Sequence, residues 1–202
     1  MRALLASALA SLAVLAACTQ PVSEEAAMPS MTWYVDTQAS MLTFVSVKNG
    51  DLDEEHELSG IEGWLNEDGE ARLELDMSSI ESFIPIRNER MAEHLFQTAL
   101  FPEAVITAEL DYGAMAEVEV GGLITRDIDF VLTLRNIALD LSASVEITRI
   151  SEGEVRVSTT APVSVDAASL DLVEGIETLR GLAGLDSISP TVPVSFTLTF
   201  RR

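Results

Sequence analysis

The chain holds a single cysteine, Cys18, and two histidines, His56 and His94. An internal disulfide is therefore excluded, and a zinc site or hydrolytic triad lacks the converging partners each requires. His94 reads as a helix-face residue beside a carboxylate. A glycine-rich phosphate loop is missing as well. Basic residues are few: 12 Lys and Arg stand against 33 Asp and Glu, a formal net charge of −21. Such a field repels phosphate backbones and anionic lipid head groups, which argues against nucleic-acid binding. Aromatics make up only 5% of residues although 48% are hydrophobic, so the core has to be mostly aliphatic. Asp51, Asp53, Glu55 and Glu57 alternate in a way that suggests calcium, but His56 takes the sixth position, where an EF-hand loop turns on glycine. We read this stretch as a solvated acidic loop. No metal, cofactor or catalytic centre is expected, and the chain reads as a non-enzyme.

What the chain does have begins at its first residues. Arg2 supplies a short positive region, and residues 3–17 are an unbroken run of Ala, Leu, Ser and Val, the pattern of a secretion signal. A spanning helix needs about 20 apolar residues, and this run is shorter. It ends in Leu15-Ala16-Ala17-Cys18, which resembles the bacterial lipobox, where small residues precede a cysteine that is acylated after cleavage. Residues 1–17 are then a signal peptide and Cys18 the lipidation site, carrying a diacylglycerol and an amide-linked acyl chain such as palmitate. At about 0.8 kcal/mol per buried methylene, two or more chains hold a protein to a bilayer where one is marginal. Thr19 follows the cysteine where inner-membrane lipoproteins of Gram-negative bacteria carry Asp; by that resemblance the expected location is the outer membrane, facing the periplasm. Residues 18–31, rich in Ser, Glu, Pro and Ala, read as a flexible tether, and residues 32–202 as one domain.

The dominant hydrophobic period in that domain is two. Ala71, Leu73, Leu75 and Met77 alternate with Glu70, Arg72, Glu74 and Asp76, and Asn66-Glu67-Asp68-Gly69 turns the chain back from residues 61–65, which predicts a β-hairpin. The alternation returns at Ile128 to Leu134, at Leu139 to Ile147, at Val155 to Thr159 after a turn at 151–153, and at Val192 to Phe200. With residues 42–47 and 105–110, the reading is all-β: eight or nine strands in an antiparallel sandwich or barrel. Two stretches depart from it. Met91, Ala92, Leu95, Phe96 and Ala99 recur at helical spacing within residues 86–100, between Pro85 and Pro102. Leu172, Val173, Ile176, Leu179 and Ala183 form a stripe within residues 169–185, with Ser169 as a cap.

In that order the residues resemble the YceI-like family. Trp33-Tyr34-Val35-Asp36 with Ser40-Met41-Leu42-Thr43-Phe44 is similar to its first strand, and Ser78-Ser79-Ile80-Glu81-Ser82 to its Ser-Ile step. Arg87-Asn88-Glu89-Arg90-Met91-Ala92-Glu93-His94-Leu95-Phe96, running on to Leu100-Phe101-Pro102-Glu103-Ala104, is similar to its helix and Phe-Pro step. Leu132-Thr133-Leu134-Arg135-Asn136 resembles its Leu-Thr-Leu run, with Asn136 where glycine is usual; Asn tolerates the left-handed backbone such a turn needs. The resemblance implies a lipocalin-like barrel of about eight strands with one or two short helices. It also implies a protein of the bacterial envelope that binds polyisoprenoids or similar long apolar molecules.

An eight-stranded barrel is either filled by its own side chains or hollow enough for one small ligand. If hollow, its lining candidates by period or helix face are Phe44, Trp64, Leu73, Leu75, Phe83, Met91, Leu95, Phe96, Phe130 and Leu132. The expected ligand is then a polyisoprenoid or an isoprenoid quinone. If filled, the protein is a structural or interaction lipoprotein with an acidic docking surface. An exposed apolar strip on the sheet could also pair two copies as a homodimer.

Overall fold

The computed structural model describes residues 32–202; the expected signal peptide, Cys18 and the tether lie outside them. The alternating segments form one sheet of twelve strands. In chain order these are β1 (Trp33–Val35), β2 (Met41–Lys48), β3 (Leu52–Leu58), β4 (Ile61–Leu65), β5 (Glu70–Asp76), the two-residue β6 (Ile80–Glu81), β7 (Glu103–Glu109), β8 (Leu123–Leu134), β9 (Ile137–Ser151), β10 (Glu154–Thr159), β11 (Val163–Asp166) and β12 (Thr191–Arg201). Each pairing is antiparallel. On one side β12 pairs with β10 and β11, and on the other with β1 and β2, placing Val35 opposite Phe200 and Phe44 opposite Val194. The sheet thereby closes on itself. With β1 and β2, β3 and β4, and β10 and β11 each forming one interrupted stave, the architecture is a closed eight-stranded barrel and not a sandwich. Across the break between β1 and β2, the buried Ser40 hydroxyl accepts the Thr199 amide at 2.9 Å, and the Thr199 hydroxyl donates to the Ala39 carbonyl at 3.0 Å.

Local chemistry sets the turns. In the predicted hairpin, the Asn66 side-chain oxygen accepts from the amides of Asp68 and Glu70, and Gly69 takes φ 88° against the Leu110 carbonyl, which leaves no space for a Cβ. Between β8 and β9, Arg135 and Asn136 have φ of 50° and 64°, the two left-handed residues of a tight hairpin turn. Asn136 thus fills the glycine's place as expected.

Three expectations change. Residues 52–58 are a strand, not a loop; its inward positions are Glu54, His56 and Leu58, so only one of three is apolar and no alternation shows. The first helix stops short of residue 100. It comprises α1 (Pro85–Arg90) and a π-helical turn (Met91–Phe96), and Gln97 at φ 52° ends it. In the second stretch a 3-10 turn (Ala167–Leu170) precedes α3 (Val173–Ala183), with Asp171 at φ 55° between them. Asp166 caps that turn by accepting from the Ser169 amide and hydroxyl, so Ser169 is the capped residue and not the cap. The short α2 (Tyr112–Ala116), begun by Asp111 accepting from the Ala114 amide, gave no periodic signal.

Because sequence neighbours pair, connections alternate between the barrel's ends. Residues 77–102, the 135–136 turn and residues 167–190 share one end, where the Arg135 guanidinium donates to the carbonyls of Leu95 and Asp171. The π-helical turn and α3 pack there as a cap, with Gly175 of α3 against the backbone of His94 and Leu95. Residues 66–69, 110–122 and 152–153 lie at the opposite end.

Candidate functional site

The inward side chains do not meet across the barrel. Ala71, Ala104 and Ala108 give the wall formed by β5 and β7 little reach, and a cavity of about 460 Å³ remains, within the range of small-molecule sites. Its wall is almost wholly apolar, running from Val155 and Phe200 at one end to Leu134, Leu170 and Ile176 beneath the cap at the other. Phe44, Leu73, Phe130 and Leu132 point inward and yet are only half-buried, because they border open space.

Seven of the ten proposed lining residues do line this cavity: Phe44, Leu73, Leu75, Leu95, Phe96, Phe130 and Leu132. Met91, on the π-helical turn, borders a second space of about 360 Å³ between barrel and cap, which shares Phe44, Leu95 and Ile176 with the first. Trp64 and Phe83 lie elsewhere. Ile61 and Leu65 of β4 pair with Leu75 and Ala71 on the inner face, so Trp64, opposite Arg72 and Tyr34, is on the outside. Phe83 sits at φ 61° in the turn before α1 and is 68% exposed.

Sequence reasoning missed the end opposite the cap, where Trp33, Tyr112, Arg149 and Arg202 border the cavity. For Arg149 a signal existed. The β9 series Leu139, Leu141, Ala143, Val145, Ile147 continues by the same period to position 149, which therefore points inward despite its charge.

At the cap end His56 and Glu54 each find a polar partner, while His56 Nδ1 and Arg135 Nε are buried with no hydrogen-bond partner among the described residues. His56 is buried, with Nε2 2.8 Å from the Ser46 hydroxyl and its ring 4.9 Å from that of Phe44. Burial, and then the charge of Arg87, lower its pKa from 6.5 to about 4, so it is neutral near pH 7. Burial works against the Glu54 charge too, but Lys48 and Arg87, both ion-paired to it, hold its carboxyl below the usual range. Through Glu54, α1 is tied to β2 and β3. His94 is partly exposed, with Nε2 3.8 Å from the Glu93 carboxylate. Among the described residues, no group of three or more His, Cys, Asp or Glu could hold a metal ion. What the site offers is apolar enclosure.

The sequence model of the YceI-like domain matches residues 33–200. A polyisoprenoid-binding domain from Saccharophagus degradans implicated in plant cell wall breakdown is 36% identical, with a TM-score of 0.81 over 84% of this chain and 97% of that one. BcnA of Burkholderia cenocepacia, at 14% identity, shares the fold with a TM-score of 0.64 over 82% of this chain and 98% of that one. No functionally curated protein matches.

Proposed function

The chain belongs to the YceI-like family, and from that premise we propose that it binds a long apolar molecule, a polyisoprenoid or isoprenoid quinone, inside its barrel. One observation carries the reading: a continuous apolar cavity of about 460 Å³ running the length of the barrel interior. Moving apolar surface from water into such a space contributes about 25 cal/mol per Å² and needs no special polar chemistry. A flexible chain fits a wall made mainly of Leu, Ile, Val and Ala, with Phe44, Phe96, Phe130, Phe196 and Phe200 among them. The 36% identical Saccharophagus domain, described as polyisoprenoid-binding, supports the ligand class. The alternative of a solid barrel with an acidic docking surface would need this space filled, and the small Ala71, Ala104 and Ala108 side chains do not fill it.

In this reading the protein is a carrier of the bacterial envelope, held to the outer membrane by lipid on Cys18 and facing the periplasm, with residues 18–31 as tether. The π-helical turn and α3 close the barrel mouth and move to admit the chain, and the smaller space beside Met91 lies on that route. The protein acts by sequestering its ligand and not by catalysis.

Organic extraction of the purified protein followed by mass spectrometry tests this. An isoprenoid or quinone should be recovered from the wild type and lost when Ala71 and Ala108, paired across β5 and β7, are both enlarged to Phe. Extracts of the wild type that stay empty through repeated preparations would overturn the carrier reading.

A further inference from the structure

Most of the exposed large hydrophobic residues stand at the cap end: Phe83, Ile84, Ile86, Leu100, Val173 and Leu182. With Pro85, the first three form a run of four consecutive exposed apolar residues leading into α1. Such a run is disfavoured on a surface that meets only water. Beside it the last turn of α3 exposes Leu182 and Ala183 between Gly181 and Gly184. The Arg90 guanidinium donates to the Leu182 carbonyl at 3.3 Å and so joins the two segments into one rim.

The run is held in place and is not a loose loop. Phe83 takes φ 61°, a left-handed conformation uncommon for a bulky residue. Asn88 fixes it from α1: its side-chain oxygen accepts from the Ser82 amide at 2.9 Å and from the Ser82 hydroxyl, and its Nδ2 donates to the Glu81 carboxylate at 2.8 Å. The same Glu81 oxygen accepts from the Phe83 amide. A backbone strained to hold an aromatic ring in water points to a use for the ring outside the protein. The rim is also continuous with the interior. Ile84, Ile86 and Ala183 border the space of about 360 Å³ between barrel and cap, which shares Phe44, Leu95 and Ile176 with the main cavity.

Area and charge select what meets the rim. Its two segments expose on the order of 500 Å², below the roughly 800 Å² that each side of a standard protein–protein interface buries. A second copy carries the same net charge of −21 and is repelled. A zwitterionic bilayer surface has no net charge, needs no complementary shape and takes apolar side chains between its head groups. The chain N-terminal to the barrel enters at Trp33, opposite Leu65 at the other end, so an anchor there leaves the cap clear.

Resting on the reading of the cavity as an apolar-chain site, we propose that residues 83–86, with Leu182 and Ala183, insert into the head-group layer of a zwitterionic bilayer. The cap then opens against lipid, and the ligand passes between bilayer and barrel without crossing water.

Phe83→Trp in the full chain, mixed with phosphatidylcholine vesicles brominated near the head groups, reads the insertion directly. Trp33 and Trp64 lie toward the other end, and the wild type supplies their baseline. Emission from the added indole should shift to the blue and lose about half its intensity or more, as for a ring at head-group depth. Replacing part of the phosphatidylcholine by phosphatidylglycerol should weaken insertion, and salt should restore it by screening the repulsion. Adding Ile86→Asp and Leu182→Asp should cut the quenching at least about threefold; should that variant not fold, Phe83→Trp alone decides. An indole that stays in water, insertion strengthened by phosphatidylglycerol, or quenching unchanged by the two aspartates would overturn the docking. A blue-shifted indole before vesicles are added, in a chain that sediments as a dimer, would assign the rim to a second copy and overturn it too. All these outcomes leave the carrier reading standing, because lipid recovery by extraction is measured separately. Empty extracts beside an inserting indole would overturn the carrier and leave the docking.

Discussion

Gly175 of α3 approaches His94 so closely that a Cβ added there would lie 2.7 Å from the His94 carbonyl oxygen and 2.9 Å from the Leu95 Cα. The cap is two backbones in contact, joined at the one α3 position that is both buried and without a side chain. In an exposed helix interior Gly→Ala gains up to about 1 kcal/mol. Against backbone atoms that cannot rotate away the sign reverses, and Gly175→Ala should cost about 1–3 kcal/mol, as overpacked sites do. The shift of the urea midpoint, with an unchanged slope, is the measurement; a more stable variant would mean that α3 rides loosely.

Leu95 and Phe96 are 9% and 8% exposed and reach the cavity from the π-helical turn. Replacing both with Asp puts two carboxylates over the barrel mouth, where burial is unfavourable to charge. Retention of extracted lipid should fall severalfold while the β signal in circular dichroism persists. Retention at the wild-type level would refute the cap's role as a lid.

His56 makes stability depend on pH in a defined window. Its folded pKa of about 4 lies below the unfolded 6.5, so the unfolded chain binds the extra proton first. The contribution is whole above pH 6.5, shrinks as pH falls toward 4 and is gone below that. His56→Gln removes the titrating group, so the loss of stability between pH 7 and pH 5 should be smaller in the variant than in the wild type. Urea midpoints at the two pH values supply the comparison, and equal losses would contradict a buried neutral imidazole.

The strands were legible where one face is apolar and the other polar, as in Ala71 to Met77 and Leu139 to Ile147. Where the inner face turns polar the signal fails, and β3 was missed because Glu54 and His56 point inward to partners supplied by β2 and α1. Trp64 shows a different limit: in a five-residue strand with apolar residues on both parities, only the pairing of Ile61 with Leu75 decides which side faces in. Phe83 preceded the helix and never shared its face. Arg149 was legible by period and concealed by its charge. The hollow itself could not be read from the chain, since it depends on whether walls from distant strands meet.

The clasp of Ser40 on Thr199 joins groups 159 positions apart. Closing so long a loop costs chain entropy before any contact repays it, so this seam is expected late in assembly. Until β12 arrives, the inner wall is one face of an open sheet with two unpaired edges, at β10 and β11 and at β1 and β2, and its apolar side chains meet whatever is near. A polypeptide in that condition is a client for chaperones, and removing β12 would leave it one permanently.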